Sequence, residues 1–273
     1  MSAGSVFGFL GPNGSGKTTT MRVLMGMLRA TSGRAHIFGL DCWLDSHHIK
    51  TDVGYLPGDL RLYPWLTCES ALCIMAGVRH LDLASRGHEL ADDFGLEVDV
   101  PVRNMSHGMR QKLGLILALA HHPKLLILDE PTTALDPLMQ EKLFTRLRSM
   151  TVQGHTVFLS SHTLSEVERL CDRVAILREG RLVADERIES LRRRAERRIH
   201  IVWRESVDFD AIDAPSSLRL IRSGGGQWEA TLAGPVTDLV SWCAGQPIAD
   251  VSIGHPDLGI LFRAYYTDGT VQP

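Results

Sequence analysis

The segment Gly11-Pro12-Asn13-Gly14-Ser15-Gly16-Lys17-Thr18 restricts this chain more than any other feature. It fits G-x-x-x-x-G-K-[ST]. It follows Val6 to Leu10, a short apolar run that reads as a buried strand, and it opens a helical pattern. In that context the pattern is a phosphate-binding loop rather than a glycine-rich turn that merely caps a helix. The glycines let the backbone curl with its N–H groups pointing inward, Lys17 brings a point charge to the β and γ phosphates, and Thr18 offers a hydroxyl to Mg²⁺.

A phosphate loop alone leaves kinases, GTPases and ATPases open, so a second constellation carries more weight. Leu125-Leu126-Ile127-Leu128-Asp129-Glu130 is an apolar strand that delivers two adjacent carboxylates at its end. Asp129 is suited to hold Mg²⁺ through water, and Glu130 to orient and deprotonate an attacking water. His162 closes Phe158-Leu159-Ser160-Ser161 and is placed to reach a γ-phosphate from another strand end. Taken alone, that histidine reads as structural.

The frame around these loops is α/β. Val6 to Leu10, Lys124 to Leu128, Thr156 to Ser160 and Val174 to Leu177 read as strands apolar on both faces, which predicts a parallel sheet covered by helices. Helices are expected over Thr67 to Val78 and Ser106 to Ala120, each starting at a hydroxyl suited to an N-cap. With 273 residues the chain has length for about two domains. The character changes after Gly180. Six arginines against Glu189 and Glu196 fill Arg187 to Arg198, followed by a β-rich stretch with a Gly224-Gly225-Gly226 turn. The domain boundary is placed near Asp185, giving domains 1–185 and 186–273.

Composition removes other classes. Apolar residues at 44% and charged residues at 22% are those of a globular chain. A net charge of −3 supplies no global field for nucleic acid. Five scattered cysteines fit reduced thiols. The apolar stretch Leu113 to Ala120 is too short to span a bilayer, where about 20 residues are needed. The N-terminus lacks the basic region of a secretory signal, so the protein is expected to stay where it is made. Twelve histidines include the adjacent pairs His47-His48 and His121-His122, which do not share a helix face and argue against a metal site. His121 and His122 are expected to interact with the carboxyl end of their helix.

On these motifs the chain resembles the nucleotide-binding subunit of an ATP-binding cassette (ABC) transporter. GPNGSGKTT, LLILDEPTTALDP and SSH match that family's Walker A, Walker B with D-loop, and switch-histidine motifs, in order. Met105-Ser106-His107-Gly108-Met109 corresponds to the family signature L-S-G-G-Q, on a helix N-terminus just before Walker B, and P-loop kinases and GTPases have no equivalent. The resemblance covers about residues 4 to 185. It implies a P-loop NTPase fold of the ABC type with a helical signature subdomain and a small α+β C-terminal domain. ATP and Mg²⁺ are the implied ligands. Gly11, Pro12, Asn13, Gly14, Ser15, Gly16, Lys17, Thr18, Thr19, Ser106, Gly108 and Asp136 would contact nucleotide, Thr18 and Asp129 the metal, with Glu130 and His162 catalytic. In the family the signature serine and glycine complete the ATP site of the opposite subunit. The implied partners are therefore a second ATPase subunit, as a homodimer, and an integral-membrane permease, at the cytoplasmic side of the membrane, with no nucleic acid.

The sequence departs from the family pattern in three places. His107 and Met109 replace Gly and Gln of the signature, a form similar to S-x-G-M-x-Q-K in a branch of exporters with separately encoded permeases. Gly58 stands where the family's Mg²⁺- and permease-sensing glutamine is expected, and Asp59 is the substitute on offer. Only ten residues precede Gly11, whereas relatives carry further strands there, including an aromatic residue that stacks on adenine; Phe7 and Phe9 belong to the strand itself. The N-terminal strands are thus expected to be missing. Ile37 and Phe38, in a short strand Arg34 to Phe38, are expected to lose cover, with lower stability and weaker selection of ATP over GTP than in a version extended upstream. A regulatory ATP-binding protein without transport, or a hydrolysis-impaired truncated subunit, is the alternative. An ABC ATPase of translation or DNA repair is disfavoured, since the chain has neither paired cassettes nor a long coiled coil. Tyr63-Pro64-Trp65-Leu66 reads as an exposed apolar loop facing the permease. Trp43 is left between packing and permease contact. Arg192 to Arg198 reads as a solvated helix face, and Pro256 to Tyr266 as the closing helix of the accessory domain.

Overall fold

In the computed structural model, which describes residues 1–205, 212–259 and 262, the apolar runs become neighbours in one sheet. The chain lays down β1 (Val6–Leu10), α1 (Lys17–Leu24), β2 (His36–Ile37), β3 (Leu40–Asp41), α2 (Ser46–Thr51), β4 (Val53–Leu56), α3 (Cys68–Arg79), α4 (Ala84–Phe94) and α5 (His107–Leu119). Then follow β5 (Leu125–Asp129), α6 (Pro137–Val152), β6 (Thr156–Ser161), α7 (Leu164–Leu170), β7 (Arg173–Arg178) and β8 (Arg181–Arg187). Six strands form a sheet in the order β4-β5-β6-β1-β7-β8, with parallel pairing from β4 through β7. All residues of β5 and β6 are buried, as expected for parallel strands covered on both faces. Phe9, Met21, Met25, Ile127, Phe158 and Leu177 make up one apolar cluster on this sheet.

The order of the strands makes the site. β1 lies between β6 and β7, and β5 lies beside β6, so the carboxyl ends of β1, β5 and β6 open side by side. Register sets Leu10 opposite Ser161 and Asp129 opposite Ser160. Loops at the carboxyl ends of such strands are where α/β sheets bind ligands.

α3, α5 and α6 begin at hydroxyl or carboxylate caps. Thr67 and Ser70 form a reciprocal capping box at the start of α3. Ser106 accepts the Met109 N–H at the start of α5, and Asp136, followed by Pro137 at the first helical position, accepts the Met139 N–H at the start of α6.

The chain divides into two compact units, Met1–Asp185 and Glu186–Pro273. The second contains α8 (Ile188–Arg194), β9 (Arg197–Trp203), β10 (Leu218–Gly224), β11 (Gln227–Leu232), α9 (Val236–Cys243) and β12 (Ile248–Pro256). Its sheet has the order β10-β11-β9-β12, and all three pairings are antiparallel. Its core gathers Ile199, Ile201, Trp203, Trp228, Leu232 and Leu239. The helix expected from Pro256 to Tyr266 lies in part outside the described residues. Among the described residues, no helix is long and apolar enough to cross a membrane.

Three expectations are corrected. The arginine run is not one helix face: Arg192, Arg193 and Arg194 end α8, whereas Arg197 and Arg198 begin β9. Ala195, buried and extended between them, breaks the helix. Ile37 is covered rather than exposed, because it packs with Phe9, Met21 and Met25; only Phe38, in a left-handed turn at φ 56°, stays half open to solvent. His121 does not act as a cation at its helix end: its Nε2 lies 3.2 Å from the Val53 carbonyl on β4, and burial pushes its pKa down to about 4. His122 sets its ring edge-on against His155, with centroids 4.1 Å apart.

His121 therefore makes the fold acid-sensitive. Its imidazole is neutral in the folded chain while the unfolded chain binds a proton near pH 6.5, so stability is complete above about pH 6.5 and is lost as pH falls toward 4. The loss from this group should reach about 2 kcal/mol by pH 5. Urea unfolding at pH 7.5 and pH 5 is expected to show a smaller drop in His121→Gln than in the native chain. Equal drops would exclude His121 as the source.

Candidate functional site

The phosphate loop is shaped by its glycines. Gly14 and Gly16 take φ 82° and 105°, and Gly16 leads directly into α1. A Cβ on Gly11 would come within 2.5 Å of the Leu177 carbonyl and of Ser15 Oγ, so no side chain fits there. Neighbouring loops brace the turn: Gly11 N–H donates to the Ser161 carbonyl at 3.3 Å, and Gly180 N–H donates to the Ser15 carbonyl at 3.0 Å. Pro12, Asn13, Gly14 and Thr19 are exposed, whereas Ser15 and Lys17 are buried. Ser15 Oγ is buried inside the turn with no hydrogen-bond partner, which leaves an unused polar group aimed at the loop.

Lys17, 5% exposed, donates from Nζ to the carbonyls of Gly11 at 2.7 Å and Pro12 at 3.2 Å and stands 3.4 Å from Glu130 Oε1. On the other side of Glu130, His162 Nδ1 lies 2.9 Å from Oε2. The carboxylate of Glu130 is therefore held between a buried ammonium and an exposed imidazole. Directly before it, Asp129 is 1% exposed; its Oδ2 accepts from Thr18 Oγ1 at 2.7 Å and its Oδ1 from Ser160 Oγ at 2.5 Å. Ser160 Oγ in turn accepts the Glu130 N–H at 3.0 Å. The Asp129 charge is felt on β4 as well: burial first, then this carboxylate, pushes the Tyr55 hydroxyl above its ordinary range.

Glu130 has φ 50°, a left-handed backbone that costs a side-chain-bearing residue about 1–2 kcal/mol. Gln111 on α5, also buried, donates from Nε2 to the carbonyls of Glu130 at 3.3 Å and Pro131 at 3.1 Å. The His162 loop is anchored separately. Glu166 on α7 accepts from Thr132 Oγ1 at 2.7 Å and from Ser161 Oγ at 2.6 Å, which joins the loop after β5 to the end of β6.

The chain thus brings together the phosphate loop, Thr18, Asp129, Glu130 and His162. Among the described residues, no hydrogen bond joins Ser106, Gly108 or Asp136 to that group. Ser106 is exposed at the N-terminus of α5, and the Asp136 carboxylate is occupied in capping α6. Gly58, two residues past the end of β4, lies against the site: a Cβ there would stand 3.0 Å from Asp129 Oδ2. Asp59 is turned away, paired with Arg61 at 2.8 Å on the surface, so it does not take the place of a glutamine at Asp129. Ser160 and Glu166 were not legible as site residues, and Gln111 stood only as the glutamine of the S-x-G-M-x-Q-K form, with no role attached. Ser160 carries a faint signal, since a serine interrupts an otherwise apolar buried strand.

Comparison with known proteins shows the family. A family model described as ABC transporter matches residues 1–133. An uncharacterized ABC transporter ATP-binding protein of Nostoc sp. is 35% identical over 245 residues, covering 87% of this chain and 72% of that protein. The bacitracin transport ATP-binding protein BcrA of Bacillus licheniformis is 38% identical over 70% of this chain, which spans 63% of BcrA's length. A solved ATP-binding subunit of an ABC transporter superimposes with a TM-score of 0.66 at 31% identity, covering 70% of this chain and 82% of that one. The parallel sheet, the phosphate loop at its centre and these relatives lead to one conclusion: the chain belongs to the ATP-binding proteins of ABC transporters, a family of ATPases.

Proposed function

We propose that residues 1–185 form the ATPase domain of an exporter, with Glu130 as general base, and that residues 186–273 form an accessory domain. The observation that carries the reading is the Glu130 carboxylate fixed between Lys17 and His162, one residue beyond the buried Asp129–Thr18 pair. In hydrolysis the oxygen of a water attacks the γ-phosphorus of ATP, its proton passes to a Glu130 oxygen, and the bond to the β-phosphate oxygen breaks, leaving ADP and phosphate. Lys17 meets the β and γ phosphates, Ser15 Oγ supplies a further donor inside the turn, and His162 holds the Glu130 carboxylate in place.

The residues fit Mg²⁺. Thr18 and Asp129 offer a hydroxyl and a carboxylate in direct contact, a set of hard oxygen donors suited to that ion. When bound, the ion neutralises charge on the phosphate oxygens.

Ser106 is exposed at the start of α5 with Gly108 in the first turn, and a helix N-terminus is an arrangement suited to the phosphates of a second subunit. A head-to-tail homodimer with two ATP between the chains satisfies both halves. Tyr63 and Trp65, 69% and 58% exposed and stacked with ring centroids 5.7 Å apart, form the surface proposed to receive the membrane permease at the cytoplasmic face. Their loop is tied to the approach to the signature, since the Arg103 and Val102 N–H groups donate to the carbonyls of Pro64 and Leu66. A push on Trp65 therefore reaches Ser106 through four residues of backbone. Trp43 instead lies under the Arg29 guanidinium at 5.9 Å. The export named for Nod factor export ATP-binding protein I of Neorhizobium galegae, 37% identical over 67% of this chain, and the S-x-G-M-x-Q-K form of the signature support export. A photocrosslinker at position 65 in the assembled transporter is expected to label the membrane subunit. Crosslinks confined to the same chain would contradict the docking surface.

A further inference from the structure

We propose that Gln111 is a positioning residue for Glu130, and that through it the signature helix and the hydrolytic carboxylate of one chain move as a unit. The inference rests on the reading of Glu130 as general base and adds the device that aims it.

Glu130 sits in a backbone conformation that residues with side chains avoid, at φ 50°, and something must hold it there. Ser160 takes its N–H at 3.0 Å. Its carbonyl, and that of Pro131, both face the Gln111 side chain at 3.3 and 3.1 Å. A primary amide has two N–H donors, so one side chain can serve both carbonyls, and the opposite amide orientation would set oxygen against oxygen. Gln111 is 6% exposed on the helix face it shares with the buried Gly114, Leu115 and Ala118, where an amide without partners would be costly. Its polarity is explained by the two carbonyls alone.

The same helix touches the same loop a second time. A Cβ on Gly108 would stand 2.7 Å from the Ala134 carbonyl, and Ala134 is itself left-handed at φ 61°. Both strained residues of the segment after β5 are thus in contact with α5. Ser106, which is proposed to meet the ATP of the opposite chain, stands five residues before Gln111 on that helix. A shift of α5 when Ser106 engages or releases phosphate is carried by Gln111 to the Glu130 backbone. Occupancy of one ATP site then sets the aim of the base in the other.

The test compares turnover and ATP affinity of the full chain with those of Gln111→Met, Glu130→Gln and the double variant. Methionine keeps the length and removes the donors. The expected result is a kcat about 10- to 100-fold lower in Gln111→Met, the effect of displacing a reacting group by about 1 Å, with ATP affinity within about twofold. In the Glu130→Gln background the same change should cost no further turnover, because the carboxylate it aims is gone. A native kcat in Gln111→Met, or an equal fractional loss in both backgrounds, overturns the inference while leaving Glu130 as the base. Full turnover in Glu130→Gln alone overturns the reading beneath it instead. Should Gln111→Met fold poorly, Gln111→Glu gives a second readout. Its carboxyl can donate only when protonated, so its turnover relative to the native chain should rise as pH falls from 8 to 5.5, and a flat ratio overturns the inference.

Discussion

Replacing Glu130 by glutamine is expected to lower steady-state ATP hydrolysis by about 10²- to 10⁴-fold and to leave ATP binding almost unchanged. The amide has the shape of the carboxylate and can still reach Lys17, 3.4 Å away, and His162, 2.9 Å away, so the loop geometry persists. What is lost is the ability to take a proton from water. Phosphate release and equilibrium ATP binding, measured on the same preparation, separate the two effects. Undiminished hydrolysis would falsify the assignment of the base.

Lys17→Ala should act on the other quantity. Lys17 is buried, its ammonium is set across the mouth of the loop by hydrogen bonds to the Gly11 and Pro12 carbonyls, and it is the group proposed to meet the β and γ phosphates. A hydrogen bond to a charged group contributes about 1.5–3 kcal/mol, so ATP affinity is expected to fall by about 10- to 150-fold. Turnover falls with it, because the variant is seldom loaded. The contrast is informative: one variant binds without turning over and the other binds poorly. Unchanged ATP affinity in Lys17→Ala would mean that the loop holds nucleotide through its backbone alone.

Much of this was legible because the signals are local. Parallel strands buried on both faces leave apolar runs, which is why strands could be read at Val6 to Leu10, Lys124 to Leu128 and Thr156 to Ser160, within a residue of where they lie. The phosphate loop and the Asp129-Glu130 pair announce themselves because a curled backbone needs glycines at fixed places and a strand end needs carboxylates one residue apart. Contacts between distant segments leave no such trace. The bond from Gln111 to Glu130 spans 19 residues, and the Ser160 bridge to Asp129 spans 31. Charge density misled in the arginine run, since six arginines in twelve residues say nothing of where a helix gives way to a strand. Burial of Ile37 was equally hidden. A two-residue strand has no period to read, and its cover comes from α1 and β1 across the cluster.

The Glu130→Gln chain also permits the most direct test of the two-chain arrangement, since it is expected to hold ATP without consuming it. Its sedimentation mass and bound nucleotide should be measured with and without saturating ATP and Mg²⁺. If Ser106 of one chain closes the phosphate loop of the other, ATP doubles the mass to that of a dimer and two nucleotides are bound per dimer. A species that binds ATP fully and remains at the mass of a single chain would contradict that arrangement.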